Sequence, residues 1–309
     1  MDPVSSRSDL ADRLAGTGYL ADEGLVTVSY LALQMHRPLL VEGEPGTGKT
    51  ALAQALAEGL DIPLIRLQCY EGIDASQALY DWDFPRQILH LRTVEATRST
   101  GHTREPDEDL TTRHEPGLDV EEVERSLFDE RYLLARPVLR ALRESPAVLL
   151  VDEIDRADDE FEAFLLEVLS TGQVTIPELG TVTARTPPVV VLTSNRTRDL
   201  ADALKRRCLY HWLEHPTLER EVQIVRSRLP EVSLRLAEQV ASAVQRIRGE
   251  ADLLKAPGVA ETLDWAQALT ALECADLTPQ VAAATLGTVL KYREDTDRVL
   301  QRMDRVLAV

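Results

Sequence analysis

The chain has 309 residues, of which 44% are hydrophobic, and a formal net charge of −18 at pH 7. This length is sufficient for a sizeable core and indicates two domains, while the acidic excess argues against a nucleic-acid partner, because phosphate-binding surfaces are built from clustered Lys and Arg. No apolar run reaches the length of a membrane span and the first residues lack a secretory signal, so we expect a cytoplasmic protein with protein partners.

The first predicted elements are a helix over 21–36, a strand over 37–43, a helix from 49 to 59 and a strand over 62–69. Between the first strand and its helix, "GEPGTGKT" fits the spacing G-x-x-x-x-G-K-[ST]. In such a loop the backbone N–H groups surround phosphates, the lysine reaches the β- and γ-phosphates, and the last hydroxyl binds Mg²⁺. We predict a Mg-ATP site made by Gly43, Glu44, Pro45, Gly46, Thr47, Gly48, Lys49 and Thr50.

The pattern becomes irregular from about residue 74 to 136, which is too long for an ordinary connection and indicates an insertion. It contains the aromatic stretch "LYDWDFPRQ", an acidic stretch within 104–126, and a predicted helix over 126–144. Trp82 and Phe84 are costly to expose unless they pack or bind. The sequence leaves two interpretations open, a surface that faces a partner and an anchor that holds the insertion to the domain.

The third predicted strand, 147–153, is an apolar run that ends in two acids, Asp152 and Glu153. At the carboxyl end of a parallel strand both side chains can project into the crevice where a phosphate lies. We expect Asp152 to bind Mg²⁺ directly or as an outer partner, and Glu153 to orient and deprotonate an attacking water. Two adjacent acids favour hydrolysis over phosphoryl transfer to a substrate hydroxyl.

The last two predicted strands span 188–195 and 208–214. The fourth strand ends in Asn195, which could hold the attacking water or touch the γ-phosphate, and Arg206 and Arg207 directly precede the fifth. Short apolar runs that alternate with helices predict a doubly wound parallel sheet of five strands. After Pro216 only helices are predicted, over 232–250, 259–272, 279–292 and 293–309. We therefore divide the chain into a nucleotide-binding α/β domain, 1–215, and a small helical domain, 216–309.

Four segments in order, "GEPGTGKT", "VLLVDEIDRA", "VVVLTSN" and "DALKRRCLYHW", resemble those of AAA+ ATPases, and within that superfamily the chain resembles the MoxR group. The resemblance implies ATP and Mg²⁺ as cofactors, an insertion in the second helix, a pre-sensor hairpin within 171–188, and a helical lid. It also implies a homo-oligomer, most simply a hexameric ring, in which an arginine reaches the γ-phosphate of the neighbouring subunit. Arg207 is the first choice for that arginine, and Arg206 is a second finger or an interface ion-pair former.

The segments "YDWDFPRQ", "LLARPVLRAL" and "KAPGVAETLDW" look most like CoxD-type members of that group. Such members are associated with maturation of carbon monoxide dehydrogenase and related molybdenum enzymes and with a von Willebrand factor A partner. The resemblance thus implies an ATP-driven ring that remodels or matures a protein or metalloenzyme complex. Two alternatives are a nucleic-acid-associated motor and a nucleotide-switched binding module with little turnover.

One position departs from the MoxR pattern. Relatives usually carry a lid arginine, called sensor 2, that contacts the γ-phosphate, whereas Glu261 stands near that place here. Three replacements are open: Lys255, the positive end of the helix that begins near Pro257, or sensing of the nucleotide through packing alone.

Overall fold

A computed structural model describes residues 4–100, 127–250 and 253–307, with the backbone alone described for 94–100. The central element is a parallel five-stranded sheet, so the predicted sheet is confirmed. Its strands are β1 Leu39–Gly43, β2 Leu64–Gln68, β5 Val148–Asp152, β8 Val189–Ser194 and β9 Leu209–Leu213. Their order in the sheet is β2-β5-β8-β1-β9. Gln68 pairs with Asp152, which places the carboxyl ends of these two strands side by side.

Two hydrophobic clusters cover the two faces of the sheet, because successive strand residues point to opposite faces. Leu39 and Val41 of β1 belong to the first cluster, and Leu40 between them belongs to the second. The first cluster contains residues of α1 Arg7–Gly16, α2 Glu23–Met35 and α3 Lys49–Gly59. The second contains residues of α6 Pro137–Arg143, α7 Asp159–Thr171 and α8 Asp202–Arg207. This arrangement is the doubly wound α/β fold that the alternating pattern predicts.

The insertion contributes α4 Ala75–Ala78, β3 Tyr80–Trp82, α5 Phe84–Thr100 and β4 Leu133–Ala135. The prediction of a continuous helix over 126–144 is wrong for the described residues. A 3₁₀ turn and β4 come first, and α6 begins only at Pro137. The reason is that β4 pairs antiparallel with β3, and proline is favoured at the first helical position but not inside a helix. The acidic stretch within 104–126 lies outside the described residues.

Of the two aromatic residues singled out in the insertion, one packs and one is exposed. The Trp82 ring lies edge-on against Tyr80 and Phe128, at centroid distances of 6.2 and 5.2 Å. Phe84 is 57% exposed. The anchoring interpretation therefore fits Trp82, while Phe84 has the exposure that a contact surface requires.

A hairpin formed by β6 Gln173–Ile176 and β7 Gly180–Thr183 precedes β8, as predicted from the segment around "PELG". The C-terminal part of the chain is helical. Its helices are α9 Leu218–Arg228, α10 Leu234–Arg248, α11 Val259–Ala271, α12 Pro279–Thr285, α13 Arg293–Gln301 and α14 Met303–Val306. These helices, called the helical region below, enclose a separate cluster around the fully buried Trp265. The proposed boundary at 215/216 falls between β9 and α9 and stays a prediction.

The two last helices predicted from the sequence are shorter than expected. The prediction over 279–292 corresponds to α12 and a following 3₁₀ turn, and that over 293–309 is divided at Arg302 into α13 and α14. Within the part of the chain that the structure describes, no helix is both long and apolar enough to cross a bilayer.

Candidate active site

The P-loop, residues 43–50, leads from the end of β1 into the first turn of α3. Gly46 and Gly48 have φ values of +79° and +99°, which glycine adopts readily and other residues rarely do. Lys49 is buried, and its Nζ donates to the carbonyl oxygens of Gly43, at 2.8 Å, and Glu44, at 2.7 Å. Burial lowers the pKa of the Lys49 amine, although nearby carboxylates, first that of Asp155, oppose the shift. A buried cation beside a helix N-terminus and left-handed glycines fits a polyphosphate ligand.

The pair predicted to bind Mg²⁺ is close together. Thr50 Oγ1 donates to Asp152 Oδ1 at 3.1 Å, and Asp152 is 3% exposed. Thr193 Oγ1 donates to the same oxygen at 2.5 Å, while Arg66 Nη2 donates to Oδ2 at 2.6 Å. Because Mg²⁺ is usually bound by one or two protein oxygens together with phosphates and water, this donor set fits the ion. Arg66 was not anticipated from the sequence.

Glu153 has a φ of +55°, a left-handed conformation that is uncommon for a residue with a side chain and is concentrated at functional sites. Its N–H donates to Thr193 Oγ1 at 2.9 Å. Its Oε1 accepts from Asn195 Nδ2 at 3.4 Å, and its Oε2 accepts from Gln68 Nε2 at 3.2 Å. Two neutral amides, one from each flanking strand end, therefore orient the carboxylate, and Arg156 Nε lies 3.8 Å from its Oε2.

Asp155 is a second residue that the sequence interpretation missed. It is 3% exposed and accepts hydrogen bonds from the N–H groups of Asn195, at 3.2 Å, and Thr197, at 2.8 Å. The turn after β5 is thereby joined to the loop after β8, and Asn195 is fixed beside Glu153. The "DEID" spacing, which places an acid two residues beyond Glu153, was the available signal.

A cavity of 1110 Å³ lies above this edge of the sheet, which is large enough for a nucleotide. The site residues Lys49, Thr50, Asp152, Glu153 and Asn195, called the carboxyl edge below, all line it. Other walls come from Gly18–Asp22 before α2, from 211–217, and from Val259, Ala260 and Leu263 of α11. The cavity thus lies between the sheet and the helical region.

The two arginines before β9 differ in their contacts, and neither lines the cavity. The side chain of Arg207 folds onto α7, where Nη1 donates to the Leu166 carbonyl at 3.2 Å and also to the Ser170 hydroxyl. The side chain of Arg206 is 83% exposed and lies 3.9 Å from Asp202. Within one subunit, both arginines are therefore separated from the carboxyl edge. Both side chains are exposed, and they differ in that Arg207 is bonded to α7.

The helical region meets the P-loop through its backbone. Glu261 Oε2 accepts from the Gly258 N–H at 2.8 Å and so caps its own helix, while the Lys255 side chain does not line the cavity. The Val259 N–H donates to the Gly46 carbonyl oxygen at 2.8 Å. Of the three replacements left open for the sensor 2 arginine, this geometry favours the start of the helix or packing over Lys255.

The fold, the P-loop and the paired acids after β5 define the class of P-loop nucleotide-binding proteins. Residues 38–208, more than half of the chain, match the AAA domain (dynein-related subfamily). The chain belongs to this family of AAA+ ATPase domains.

Several known proteins are similar to the chain. An uncharacterized protein of Staphylococcus saprophyticus is 23% identical over 201 residues, covering 63% of this chain and 62% of that protein. Midasin of Giardia intestinalis is 46% identical over 48 residues, covering 16% of this chain and 1% of midasin. The chain thus spans less than two thirds of the length of these curated relatives. Among solved structures, the RuvB Holliday junction branch migration motor of Thermotoga maritima has 18% identity and a TM-score of 0.45, covering 86% of this chain and 69% of that chain.

Proposed function

We propose that the chain binds Mg-ATP in the cavity and hydrolyses it, with Glu153 as the general base. The observation that carries this proposal is the placement of Glu153 between two orienting amides, on the same cavity wall as Lys49, Thr50 and Asp152. A base positioned in this way can accept a proton from an attacking water. The family membership supports the same chemistry.

Each neighbour of Glu153 has a distinct part in this proposal. The P-loop N–H groups and the Lys49 ammonium hold the phosphates, and Thr50 with Asp152 holds Mg²⁺. Bound Mg²⁺ neutralises negative charge on the phosphate oxygens. Asn195 and Gln68 orient the Glu153 carboxylate. The contact of Asn195 with this carboxylate favours a positioning role for Asn195.

The proposed active unit is an oligomer, most simply a hexameric ring, in which one subunit supplies an arginine to the site of the next. A planar cation that arrives only on assembly stabilises the charge that develops during phosphoryl transfer. The contacts described above favour Arg206 for this role, because Arg207 is held by α7 of its own subunit. Arg206 is thus preferred to Arg207, whereas adjacency to the fifth strand favours Arg207.

At the level of biology, we propose that the ring remodels or matures a protein or metalloenzyme complex, as MoxR-type and specifically CoxD-type proteins do, with a von Willebrand factor A partner. The segments that resemble this group support the proposal, and the net charge of −18 favours a protein over a nucleic-acid client. The exposed Phe84 in the insertion provides a surface of the kind that protein partners contact.

The test is nucleotide binding and phosphate release by the wild-type chain and by Lys49→Ala. We expect the wild type to bind a fluorescent ATP analogue and release phosphate. We expect Lys49→Ala to weaken binding by at least about 10- to 100-fold, because a hydrogen bond to a charged group contributes about 1.5–3 kcal/mol.

Lys291→Ala is the matched control, since the Lys291 side chain is exposed and bonds only carbonyls of its own turn. Equal affinity in wild type and Lys49→Ala would contradict the proposed site. Phosphate release stimulated by duplex DNA and not by a von Willebrand factor A protein would favour the nucleic-acid motor. Tight binding with no release under any of these conditions would favour the switched binding module.

A further inference from the structure

Gly258, the residue before α11, lies in backbone contact with Gly46 of the P-loop. The Val259 N–H donates to the Gly46 carbonyl oxygen at 2.8 Å. A Cβ atom added at residue 258 would lie 2.5 Å from Gly46 Cα and 2.7 Å from its carbonyl oxygen, closer than real Cβ atoms approach such neighbours. Because these neighbours are backbone atoms, a side chain at 258 is incompatible with the contact.

The backbone of Gly258 does not itself require glycine. Its φ of −92° and ψ of −171° are extended values that any residue can adopt. Gly46 differs, since its φ of +79° favours glycine whatever surrounds it. In the described structure, glycine at 258 is therefore explained by the closeness of the P-loop and not by local conformation.

The turn that contacts the P-loop is fixed to the helical region from behind. Arg248, at the end of α10, donates through Nε to the Pro257 carbonyl at 2.6 Å and forms a two-point pair with the fully buried Glu221. Its Nη2 also donates to Thr262 Oγ1 at 3.3 Å. The turn at 257–258 is held to the helical region by this buried arginine, so it presents a preformed surface to Gly46.

A second contact joins the P-loop to the segment after β9. The His215 ring lies with Nε2 at 3.0 Å from Glu44 Oε2. Burial, together with the positive charge of Arg248, lowers the pKa of His215, so the neutral ring donates to the carboxylate at pH 7. Glu44 is also the residue whose carbonyl accepts from Lys49. The outer side of the P-loop is therefore held at two points by residues that follow β9.

We propose that Gly258 is a positioning residue of the nucleotide site, whose contact with Gly46 holds the P-loop in its phosphate-binding shape. The inference rests on the proposed nucleotide binding. Its physical basis is preorganisation, since a loop that is ordered before the ligand arrives loses less conformational freedom on binding.

The experiment compares Gly258→Ala with Gly287→Ala in the full chain. Gly287 also lies in the helical region, but a Cβ there meets nothing within 4 Å and its φ is not positive. For Gly258→Ala we expect affinity for a fluorescent ATP analogue to fall about 5- to 10-fold, the size of one lost hydrogen bond. KM should rise by the same factor with kcat unchanged within about twofold, because Gly258 meets Gly46 and does not line the cavity beside Glu153. Gly287→Ala should retain wild-type values.

A second variant removes the hydrogen bond without adding bulk at 258. Val259 is the first residue of α11, a position where proline is favoured, and Val259→Pro deletes the N–H that reaches Gly46. It should weaken nucleotide affinity in the same direction. Hydrogen exchange of the nucleotide-free protein gives a readout apart from activity: in Gly258→Ala the Val259 amide should exchange faster, while the amides of α10 keep their wild-type rates.

The results separate this inference from the proposed function. In one outcome, the wild-type protein binds nucleotide while Gly258→Ala keeps both the wild-type nucleotide affinity and the wild-type exchange rate of the Val259 amide. That result would overturn the positioning role alone. Tighter nucleotide binding by either variant would also overturn it, because the contact would then oppose occupancy. Absence of nucleotide binding by the wild type would overturn the proposed function, and the exchange rates would still report whether the contact exists.

Discussion

The carboxyl edge and the contact between the P-loop and the start of α11 lie at the same cavity but use different parts of the chain. At the carboxyl edge, side chains at strand ends provide the chemistry, and their types and spacing are visible in sequence. At the contact with the helical region, the interacting groups are a carbonyl and an N–H, and the characteristic feature is a missing side chain. Sequence motifs therefore report on side-chain chemistry better than on backbone proximity.

The two regions also differ in the placement of their charged side chains. The carboxyl edge gathers Lys49, Asp152 and Glu153 around an open cavity, with Glu153 in a left-handed conformation. Such strain persists where the surroundings impose it and is common at functional sites. The helical region holds the turn at 257–258 through one buried pair, Arg248 with Glu221, beside an apolar cluster. The carboxyl edge thus has the features of a reactive site, and the helical region has those of a rigid support.

The greatest loss of turnover is expected at the arginines proposed to complete the carboxyl edge of a neighbouring subunit. Arg206→Ala should lower turnover by about 10³- to 10⁵-fold with nucleotide affinity retained, because such a cation acts mainly on charge developing in the transition state. Arg207→Ala should have a smaller effect, because its side chain bonds α7 of its own subunit. Phosphate release by each variant measures the difference.

The control for trans action is a mixture of subunits. Lys49→Ala subunits still offer Arg206, and Arg206→Ala subunits still bind ATP, so mixing two inactive variants should restore part of the activity. A mixture as inactive as its components, in rings that still form, would contradict a trans-acting Arg206. A larger loss in Arg207→Ala than in Arg206→Ala would return the role to Arg207.

A smaller effect tests the rigidity of the helical region. Arg248→Met leaves the Glu221 carboxylate buried without its partner, so we expect a loss of about 3–5 kcal/mol in the free energy of unfolding of this region. Arg293→Met, which removes an exposed pair with Asp297, should cost less than about 1 kcal/mol. Denaturant unfolding followed by tryptophan fluorescence, with the buried Trp265 as a reporter, measures both. Equal losses would show that the buried pair does not fix the turn at 257–258.

Much of the fold could be predicted because hydrophobic patterning shows where the strands lie. Much of the carboxyl edge could be predicted because parallel strands have their carboxyl ends at the same edge of the sheet. All five sheet strands were located, and Lys49, Thr50, Asp152, Glu153 and Asn195 do line one cavity. Gln68 and Arg66 were missed because their roles depend on the pairing of β2 beside β5, which one sequence does not reveal. The pattern of the β4 segment predicts helix, but β4 pairs with β3, which lies about 50 residues away, and non-local pairing outweighs local pattern.

The contact at Gly258 could not be predicted for a different reason. A glycine before a helix is common at a cap, and only the position of Gly46 in space shows that its lack of a side chain matters. The choice between Arg206 and Arg207 likewise depends on the position of α7 in space, since that helix supplies the carbonyl that holds Arg207.

Hydrolysis of ATP at the carboxyl edge with Glu153 as the base is tested by a single-turnover measurement on Glu153→Gln. The protein is loaded with Mg-ATP, and bound ATP and ADP are quantified over time, with Glu160→Gln, an exposed glutamate of α7, as the matched control. We predict wild-type affinity in Glu153→Gln and conversion slowed by about 10²- to 10⁴-fold, the usual contribution of a general base. Conversion at the wild-type rate in Glu153→Gln would contradict the assignment and show that the water is activated elsewhere.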